Sequence, residues 1–503
     1  DVCSSDLKDL NTQIAQAEGA GKSSAELRDK RDVALKELSQ QMDISTFERN
    51  TGELVVVTDD SNARQLVDGT AAELTFNAVG SLGSGENGGP VTYADGTKVD
   101  ADSIGGRLGA LLQMRDQDLA NFQADLDRLA AQMREEVNAA HNLATPGNEA
   151  KTSITGDHRF TDDMINKSNT NGGITGASGS FQLVEINSSG NVEQSIDVNV
   201  GSNVGTPNSL SDLKSQLNTG ISGDPFQFNS DGQLEVNKPS SFASNSKLAI
   251  RQDPSNPAKI QANNLAATAA ETGTSGVRER NFSHFFGLNN LLETPDRNAK
   301  VPDPSGGLQD HAQPVSNPDL VTGDTSTPSK AARTGPGVSA ASVLQVNADI
   351  ANDPSKLGRI SPRNETGEDP LPIGNGEVGQ KLAEAFDQKV NFAAPKKFQN
   401  PNGTANLTQN KTGGNVGSRE VTLAAFAGDV LQFQASRTAE LEQTVQAKEG
   451  VKEQLTKRAN AQSGVNIDQE LANLTTYQQA FNANARVISV VDELFTTLNQ
   501  MAR

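Results

Sequence analysis

The stretch at residues 463–503, SGVNIDQELANLTTYQQAFNANARVISVVDELFTTLNQMAR, decides the fold that this sequence predicts. Apolar residues recur there at alternating intervals of three and four, which predicts one apolar face on a helix of about ten turns. No Gly or Pro interrupts the periodic part. We name the recurring residues the C-terminal seam: Leu474, Tyr477, Phe481, Ile488, Val491, Phe495 and Leu498.

A helix of this length cannot bury a heptad-like seam against itself, so it requires a partner helix. The partner belongs either to the same chain, as in an ordinary helical bundle, or to neighbouring copies in an assembly. Asn484 falls on the seam. A polar side chain there either fixes the register between coiled helices or lies exposed at a frayed seam.

Length and composition limit the classes of protein and partner. A chain of 503 residues is too long for one core, and the length favours roughly three or four domains. The formal charge of -20 argues against nucleic acid and anionic membrane partners, because both require basic clusters. No apolar run has the length of a membrane span, and no signal-peptide pattern opens the chain.

The opening of the chain has an unusual sequence. Cys3 is the only cysteine, which excludes an internal disulfide framework and a multi-cysteine metal site. The first seven residues, DVCSSDL, match the translated end of a common sequencing adapter. We therefore expect a truncated chain, whose native N-terminal segment and any export signal lie upstream.

Changes in periodicity predict an α+β multidomain fold. In this fold the N- and C-terminal segments form an elongated α-helical bundle, β-rich domains are inserted into it, and a long amphipathic helix ends the chain. The predicted divisions are a helical segment at 1–145 with a β-hairpin insert at about 44–100, a β-rich domain at 146–300, a Pro/Gly-rich insert or irregular domain at 301–417, a returning bundle helix at 418–462 and the axial, coiled-coil-type helix at 463–503.

Several local elements follow from turn and cap chemistry. Ser24 is a predicted helix cap after a break at residues 19–21. Hairpin turns are predicted at Asn50-Thr51-Gly52, Ser189-Gly190-Asn191 and Asp231-Gly232. Further predicted elements are two strands at 247–251 and 343–346 and helices at 108–137, 265–271, 378–390 and 421–458.

No catalytic, cofactor-binding or metal-binding residue is predicted. The four histidines lack a second His or a Cys at ligand spacing, and no hydrolase, kinase or phosphate-loop motif occurs. His284 lies in the apolar FSHFF cluster, which favours a packing or hydrogen-bonding role. Two alternatives of other classes remain open: a secreted cell-wall hydrolase using carboxylates hidden among the many acids, and a surface adhesion module.

The C-terminal stretch resembles the signature of the flagellar axial proteins. The matching residues are Ser463, Gly464, Val465, Asn466, Asp468, Glu470, Asn473, Leu474, Tyr477, Gln478, Gln479, Ala480 and Phe481. Two further stretches, ELRDKRDVALKELSQQMDIS and GGRLGALLQMRDQDLANFQADLDRLAAQMREEVNAAHN, resemble segments of the hook-associated protein 1 family of hook–filament junction proteins. The matching residues in these are Arg31, Asp32, Leu108, Gly109, Ala110, Leu111, Leu112, Arg115, Asp116, Leu119, Asn138 and His141.

This resemblance implies a structural role outside the cell. It implies a subunit at the hook–filament junction of the bacterial flagellum, exported by the flagellar type III apparatus without a cleavable signal peptide and assembled as a ring. The implied partners are copies of the chain itself, the hook protein, the second junction protein and an export chaperone, with no cofactor, nucleic acid or membrane. The nearest alternative is another axial protein, of the hook or distal rod, although such proteins are not expected to carry the RDKRD and LGALLQMRDQDL stretches.

Overall fold

The computed structural model divides the chain into two compact units, Asp1–Leu431 and Gln432–Arg503. It describes residues 2–59, 63–76, 90–100, 103–145, 151–160, 165–166, 174–201, 207, 209–230, 232–253, 256–263, 277–293, 301–302, 308–309, 341, 344–358, 376–392, 414–463 and 467–501. Within these residues no helix combines the length and the apolar character that a membrane crossing demands.

The first unit opens with two helices and a small antiparallel sheet. Their bounds are α1 Val2–Gly19, α2 Ala25–Gln41, β1 Ile44–Glu48, β2 Leu54–Thr58, β3 Gln65–Asp68 and β4 Thr70–Ala71. The strands pair in the order β1-β2-β3-β4, and α1 and α2 contact each other. The buried core beneath them consists mainly of Leu7, Leu38, Leu54, Val56, Leu66, Val67, Ile104 and Leu112.

The predicted turn at residues 50–52 is confirmed. Gly52 has a φ of +80°, which suits glycine, and its N–H donates to the Arg49 carbonyl. Arg31, from the RDKRD stretch, is buried and donates to the Gly52 carbonyl at 2.9 Å. The capping prediction for Ser24 is wrong: it precedes α2, but its hydroxyl donates to Glu18 at 2.5 Å and makes no cap bond.

The predicted helix at residues 108–137 contains a break in its hydrogen-bonding pattern. A two-stranded pair, β5 Leu74–Phe76 with β6 Val91–Tyr93, precedes it. The helix then runs as α3 Gly106–Gln113, a π-turn at Met114–Asp118 and α4 Leu119–His141. A π-turn inserts one extra residue into the helical repeat, so the apolar spacing on α3 and α4 belongs to two separate phases.

The β-rich region surrounds a core of phenylalanines. Its elements are β7 Ser153–Arg159, β8 Ile174–Ser178, β9 Ser180–Ile186, β10 Val192–Asn199, α5 Leu210–Asn218, β11 Phe226–Phe228, β12 Gln233–Asn237, β13 Lys247–Gln252, β14 Lys259–Asn263, β15 Val277–Asn281 and α6 Phe282–Phe286. Three antiparallel sheets have the orders β10-β9-β13, β11-β12-β7 and β15-β14-β8. Phe181 stacks on Phe282 at 4.4 Å between ring centroids, and Phe226 meets both rings edge-on. The strand pairing of the two predicted hairpins and the predicted strand are confirmed, while Asp231 of the second turn lies outside the described residues.

The cap of α5 carries a prediction of modest size. The Ser209 hydroxyl accepts from the Asp212 N–H at 3.0 Å, and the apolar face of α5 is buried. Replacing Ser209 with Ala is expected to lower the free energy of unfolding by about 1 kcal/mol, measured by urea titration. Replacing Ser211, a partly exposed neighbour on the same helix, with Ala is the control and should change it by less than about 0.5 kcal/mol. Equal effects of the two replacements would contradict the capping account.

The chain then returns to the helical region through short elements. They are β16 Leu292–Glu293, β17 Val301–Pro302, β18 Leu308–Gln309, β19 Gln345–Val346, α7 Ala348–Asn352, a 3-10 turn at Pro354–Lys356, α8 Glu377–Asp387, β20 Val390–Phe392, β21 Arg419–Val421, α9 Leu423–Ser463 and α10 Ile467–Met501. The helix predicted at 378–390 ends early because Val390 enters β20, and the one predicted at 421–458 starts late because Val421 belongs to β21. The helix predicted at 265–271 lies outside the described residues. Of the strand predicted at 343–346, residue 343 also lies outside them, and residues 345–346 form β19.

The first two turns of α9 are buried against α4 and the β20–β21 pair. Phe426 stacks face to face on Phe392 at 3.7 Å, and the Arg128 guanidinium lies 5.0 Å from the Phe426 ring. Asp125 is buried on α4 and accepts from the backbone N–H groups of Asn415 and Val416. Apolar stacking therefore fixes the start of α9, and a buried carboxylate fixes the segment that precedes β21.

Candidate assembly surface and domain joint

The C-terminal seam lies on α10 with a strict seven-residue period. Its positions alternate by three and four from 474 to 498, with Asn484 at the intervening position. Because 3.6 residues per turn does not match this period, a sustained seam winds slowly around a straight helix and favours a left-handed supercoil. The sequence thus supplies the pattern of a coiled-coil strand.

The described seam side chains are exposed in this chain. Tyr477 and Phe481 each have 74% of their surface exposed and Ile488 has 63%. Leu474 and Val491 are also exposed, whereas the side chains of Phe495 and Leu498 lie outside those described. Contiguous exposed apolar surface of this kind is typical of an interaction site.

Charged residues lie on the other side of α10. At 100° per residue, Arg486 and Glu493 fall roughly opposite Phe481 and Ile488. Both are exposed, as expected for a solvent-facing side. The helix is therefore amphipathic, with an apolar face available for a partner.

A second notable site joins the end of α4 to the β-rich region. Asn138 is buried; its side-chain oxygen accepts from the N–H groups of Leu291 and Leu292, and its amide donates to the Leu292 carbonyl at 2.7 Å. Asn142 accepts from the Asn289 N–H and donates to the Asn290 side-chain oxygen at 2.8 Å. We name this contact, from residues 138–142 to residues 287–292, the domain joint.

His141 occupies the centre of the domain joint. It is fully buried, and its Nδ1–H donates to the Asn289 carbonyl at 2.8 Å, while its Nε2 accepts from the Gly358 N–H at 3.0 Å. These partners assign the neutral tautomer with the proton on Nδ1. Burial lowers the pKa of His141, although the bond to Asn289 acts in the opposite direction.

A charged cluster lies beside the domain joint. Glu135 on α4 contacts the Arg280 guanidinium at 2.5 Å and the His284 Nε2 at 3.5 Å. Burial raises the pKa of Glu135, but the charges of Arg280 and His284 outweigh it and hold that pKa well below its ordinary value. The buried His284 side chain hydrogen-bonds the Glu135 carboxylate, in agreement with the packing or hydrogen-bonding role predicted for it, and its backbone N–H donates to the Asn281 side-chain oxygen.

Two groups on β7 complete this region. His158 Nδ1–H donates to the Phe285 carbonyl at 2.8 Å, and burial lowers its pKa to about 3. Asp157 accepts from the Asn290 amide at 3.0 Å. Burial, followed by repulsion from Glu293, raises the pKa of Asp157 to about 6. These residues form a desolvated polar network between two hydrophobic cores.

The raised pKa of Asp157 predicts a pH-dependent effect on stability. The native state holds this proton more tightly than the unfolded state, whose ordinary pKa is 3.8. The free energy of unfolding therefore falls as pH rises from about 4 to about 6, and the loss persists at neutral pH. Replacing Asp157 with Asn keeps an acceptor for Asn290 and should raise that free energy by about 1–2 kcal/mol at neutral pH. Urea titrations at both ends of this range test it: an equal gain at acid pH would refute the titration account.

The residues of the domain joint come from two stretches of the sequence, and nothing in either stretch predicts that it contacts the other. Asn138 and His141 end the LGALLQMRDQDL stretch's helix, and Asn289 and Asn290 end FSHFFGLNN. The two stretches are about 150 residues apart, since the His141–Asn289 bond spans 148 positions. The sequence feature that could have pointed to the joint is the occurrence of Asn and His among otherwise apolar residues in both stretches. Across the described part of the chain, no group of three His, Cys, Asp or Glu has the geometry of a metal site.

Comparisons with known proteins match both ends of the chain. Residues 2–153 match the family model described as the flagellar hook-associated protein FlgK helical domain. Residues 458–501 match the family described as the flagellar basal body rod FlgEFG protein C-terminal. Flagellar hook-associated protein 1 of Salmonella typhimurium and that of Salmonella typhi are each 30% identical over an alignment of 139 residues, and the match covers 25% of this chain and 24% of the relative. The match thus spans about a quarter of these relatives' length, and the resemblance to hook-associated proteins is confirmed over the matched segments.

Proposed function

We propose that this chain, which carries a hook-associated helical domain and an axial-protein C-terminus, is a structural subunit of the bacterial flagellum that joins hook to filament. The observation that carries the proposal is the match of residues 2–153 to the hook-associated helical domain. The C-terminal match alone fits rod and hook proteins as well. The helical-domain match therefore favours the junction over the rod or hook.

The assembly mechanism follows from the C-terminal seam. Copies of the chain pack their terminal helices together, which removes Tyr477, Phe481 and Ile488 from water. Burying one such side chain contributes roughly 1.5–3 kcal/mol, so a seam of this length supplies a large stabilisation per subunit. Asn484 sets the register of the packed helices, since a misaligned Asn would face apolar side chains.

The family resemblance extends the proposal to partners and location. The subunit forms a ring with its own copies, contacts the hook protein and the second junction protein, and is held before assembly by an export chaperone. It functions outside the cell after type III export without a cleavable signal. In the predicted domain division the β-rich domain at 146–300 is an insertion between the helical segment at 1–145 and the C-terminal helices at 418–462 and 463–503.

Deleting the gene in its source bacterium tests the proposed role. We expect cells with hooks of normal length and no filaments, seen by electron microscopy, and restoration of filaments by the full-length gene. Loss of hook elongation would instead favour a hook or rod component. Normal filaments in the deletion strain would refute a structural role at the junction.

A further inference from the structure

Three of the chain's four histidines lie in or beside the domain joint, and the assembly function does not use them. Three histidines of the chain, His141, His158 and His284, are each less than 10% exposed and lie on the three elements that meet there. Histidine is the side chain whose ordinary pKa lies nearest physiological pH, so a buried histidine whose hydrogen bonds depend on its protonation state can respond to acid. Their hydrogen bonds decide which of them responds to acid.

His141 is the one whose contacts require the neutral ring. Nε2 accepts a hydrogen bond from the Gly358 N–H, and this acceptor is the atom that acid protonates. An imidazolium has two N–H donors and no acceptor. After protonation, the Nε2–H and the Gly358 N–H point at each other, while the Nδ1–H bond to Asn289 is retained.

The Gly358 turn has no room to adjust to this change. A Cβ at Gly358 would lie 2.7 Å from the Ala144 Cβ and 3.0 Å from the Asn289 amide nitrogen, so the backbone is closely packed. Gly358 follows the 3-10 turn at Pro354–Lys356. Separation of the two N–H groups therefore requires movement of this whole turn away from α4.

The other titratable groups around the joint respond differently. His158 and His284 use their ring nitrogens towards the Phe285 carbonyl and the Glu135 carboxylate, both of which accept from a protonated ring. Asp157, with Lys151 and Glu293 nearby, keeps its acceptor for Asn290 when protonated. Further charged side chains in this region are Arg280 and Arg134 near His158, and Lys356 in the 3-10 turn before Gly358. The described hydrogen bonds of His158 and Asp157 thus survive protonation, whereas His141 gives up the bond that Nε2 accepts from Gly358.

We propose that His141 makes the domain joint acid-labile: its protonation displaces residues 354–358 and loosens the contact of α4 with residues 287–292, while the hydrophobic cores on both sides stay folded. His141 thus acts as a positioning residue at neutral pH. A subunit that meets an acidic environment would gain mobility between its helical and β-rich regions without unfolding.

Hydrogen exchange of the full chain between about pH 7 and about pH 4 tests the proposal, with protection factors corrected for the intrinsic rate. The reporting amides are those of Gly358, Asn289, Leu291 and Leu292, each of which donates within the joint. Reference amides lie in β2 and β9. We expect protection at Gly358 to fall at least about tenfold in acid, with smaller losses at the other three and none in the references.

Two variants separate His141 from its neighbours. His141→Gln supplies an amide that donates and accepts without titrating, so protection should persist in acid. His158→Gln is the matched control and should retain the acid response. Unchanged protection at Gly358 in the wild type, an equal loss in His141→Gln, or a simultaneous loss in the reference amides would each overturn the proposal. Should His141→Gln fail to fold, ring nitrogen shifts of the wild type decide: Nε2 must be unprotonated at neutral pH and must gain its proton as Gly358 loses protection.

Discussion

Replacing Phe481 and Ile488 together with Asp is expected to abolish assembly and motility while leaving the folded first unit unchanged. The two side chains lie on one face of α10, seven residues apart, and are 74% and 63% exposed in this chain. In a packed seam, each Asp would place a carboxylate among apolar side chains, where burying an unpaired charge costs several kcal/mol. Because the same cost recurs in every subunit, no assembled ring should tolerate the pair. Swimming assays and electron microscopy of flagella measure the outcome.

The matched control places the same two charges at the residues that directly follow Phe481 and Ile488 in the sequence. Asn482→Asp with Ser489→Asp places both carboxylates on the polar side of the helix, because one residue is a rotation of 100°. This control should assemble normally. Unchanged circular dichroism and thermal unfolding of the first unit exclude a general folding defect. Filaments of normal number from the Phe481 and Ile488 variant would contradict the role proposed for the seam.

The second large effect is expected at the charged cluster beside the domain joint. Replacing Glu135 with Ala removes the carboxylate that faces Arg280, whose side chain is 3% exposed, at 2.5 Å. Removing one partner of a buried ion pair costs about 3–5 kcal/mol, since the remaining charge stays desolvated. We expect a fall of this size in the free energy of unfolding of the β-rich region and the adjoining helix, measured by urea titration with circular dichroism.

Two further variants distinguish charge from packing. Glu136→Ala, one residue along, removes a partly exposed carboxylate that accepts from Gln132, so its effect should stay below about 1 kcal/mol. Combining Glu135→Leu with Arg280→Met should recover much of the loss, because well-packed apolar residues often replace a buried ion pair at little cost. A double variant as unstable as Glu135→Ala would show that shape rather than charge controls this contact.

Local chemistry was the most predictable part of the fold. The turns at Asn50-Thr51-Gly52 and Ser189-Gly190-Asn191 are specified by a few adjacent residues, and their hairpins form as expected. Long helices follow from periodicity, although α8 and α9 have shifted ends because strand pairing of Val390 with Val421 competes for the boundary residues. Ser24 shows the limit of local reasoning: its hydroxyl finds a tertiary partner in Glu18 instead of capping α2.

Long-range pairing was the least predictable part. Nothing in the periodicity of residues 108–141 indicates the π-turn at Met114–Asp118, because α3 and α4 each keep the three-and-four spacing on their own side of it. The domain joint depends on contacts between residues about 150 positions apart, and neither stretch specifies the other through local chemistry. The C-terminal seam could be predicted from the sequence because its seven-residue period lies within one continuous helical stretch. Its role in assembly and the domain divisions remain predictions.

The location of the protein in the flagellum tests the central claim most directly. Immunogold electron microscopy, with antibody raised against the β-rich region and applied to isolated flagella with hooks attached, measures that location. The account predicts label confined to the boundary between hook and filament, and no label on the hooks of the deletion strain. Label distributed along the hook or rod, or on the cell wall with none at the boundary, would contradict it.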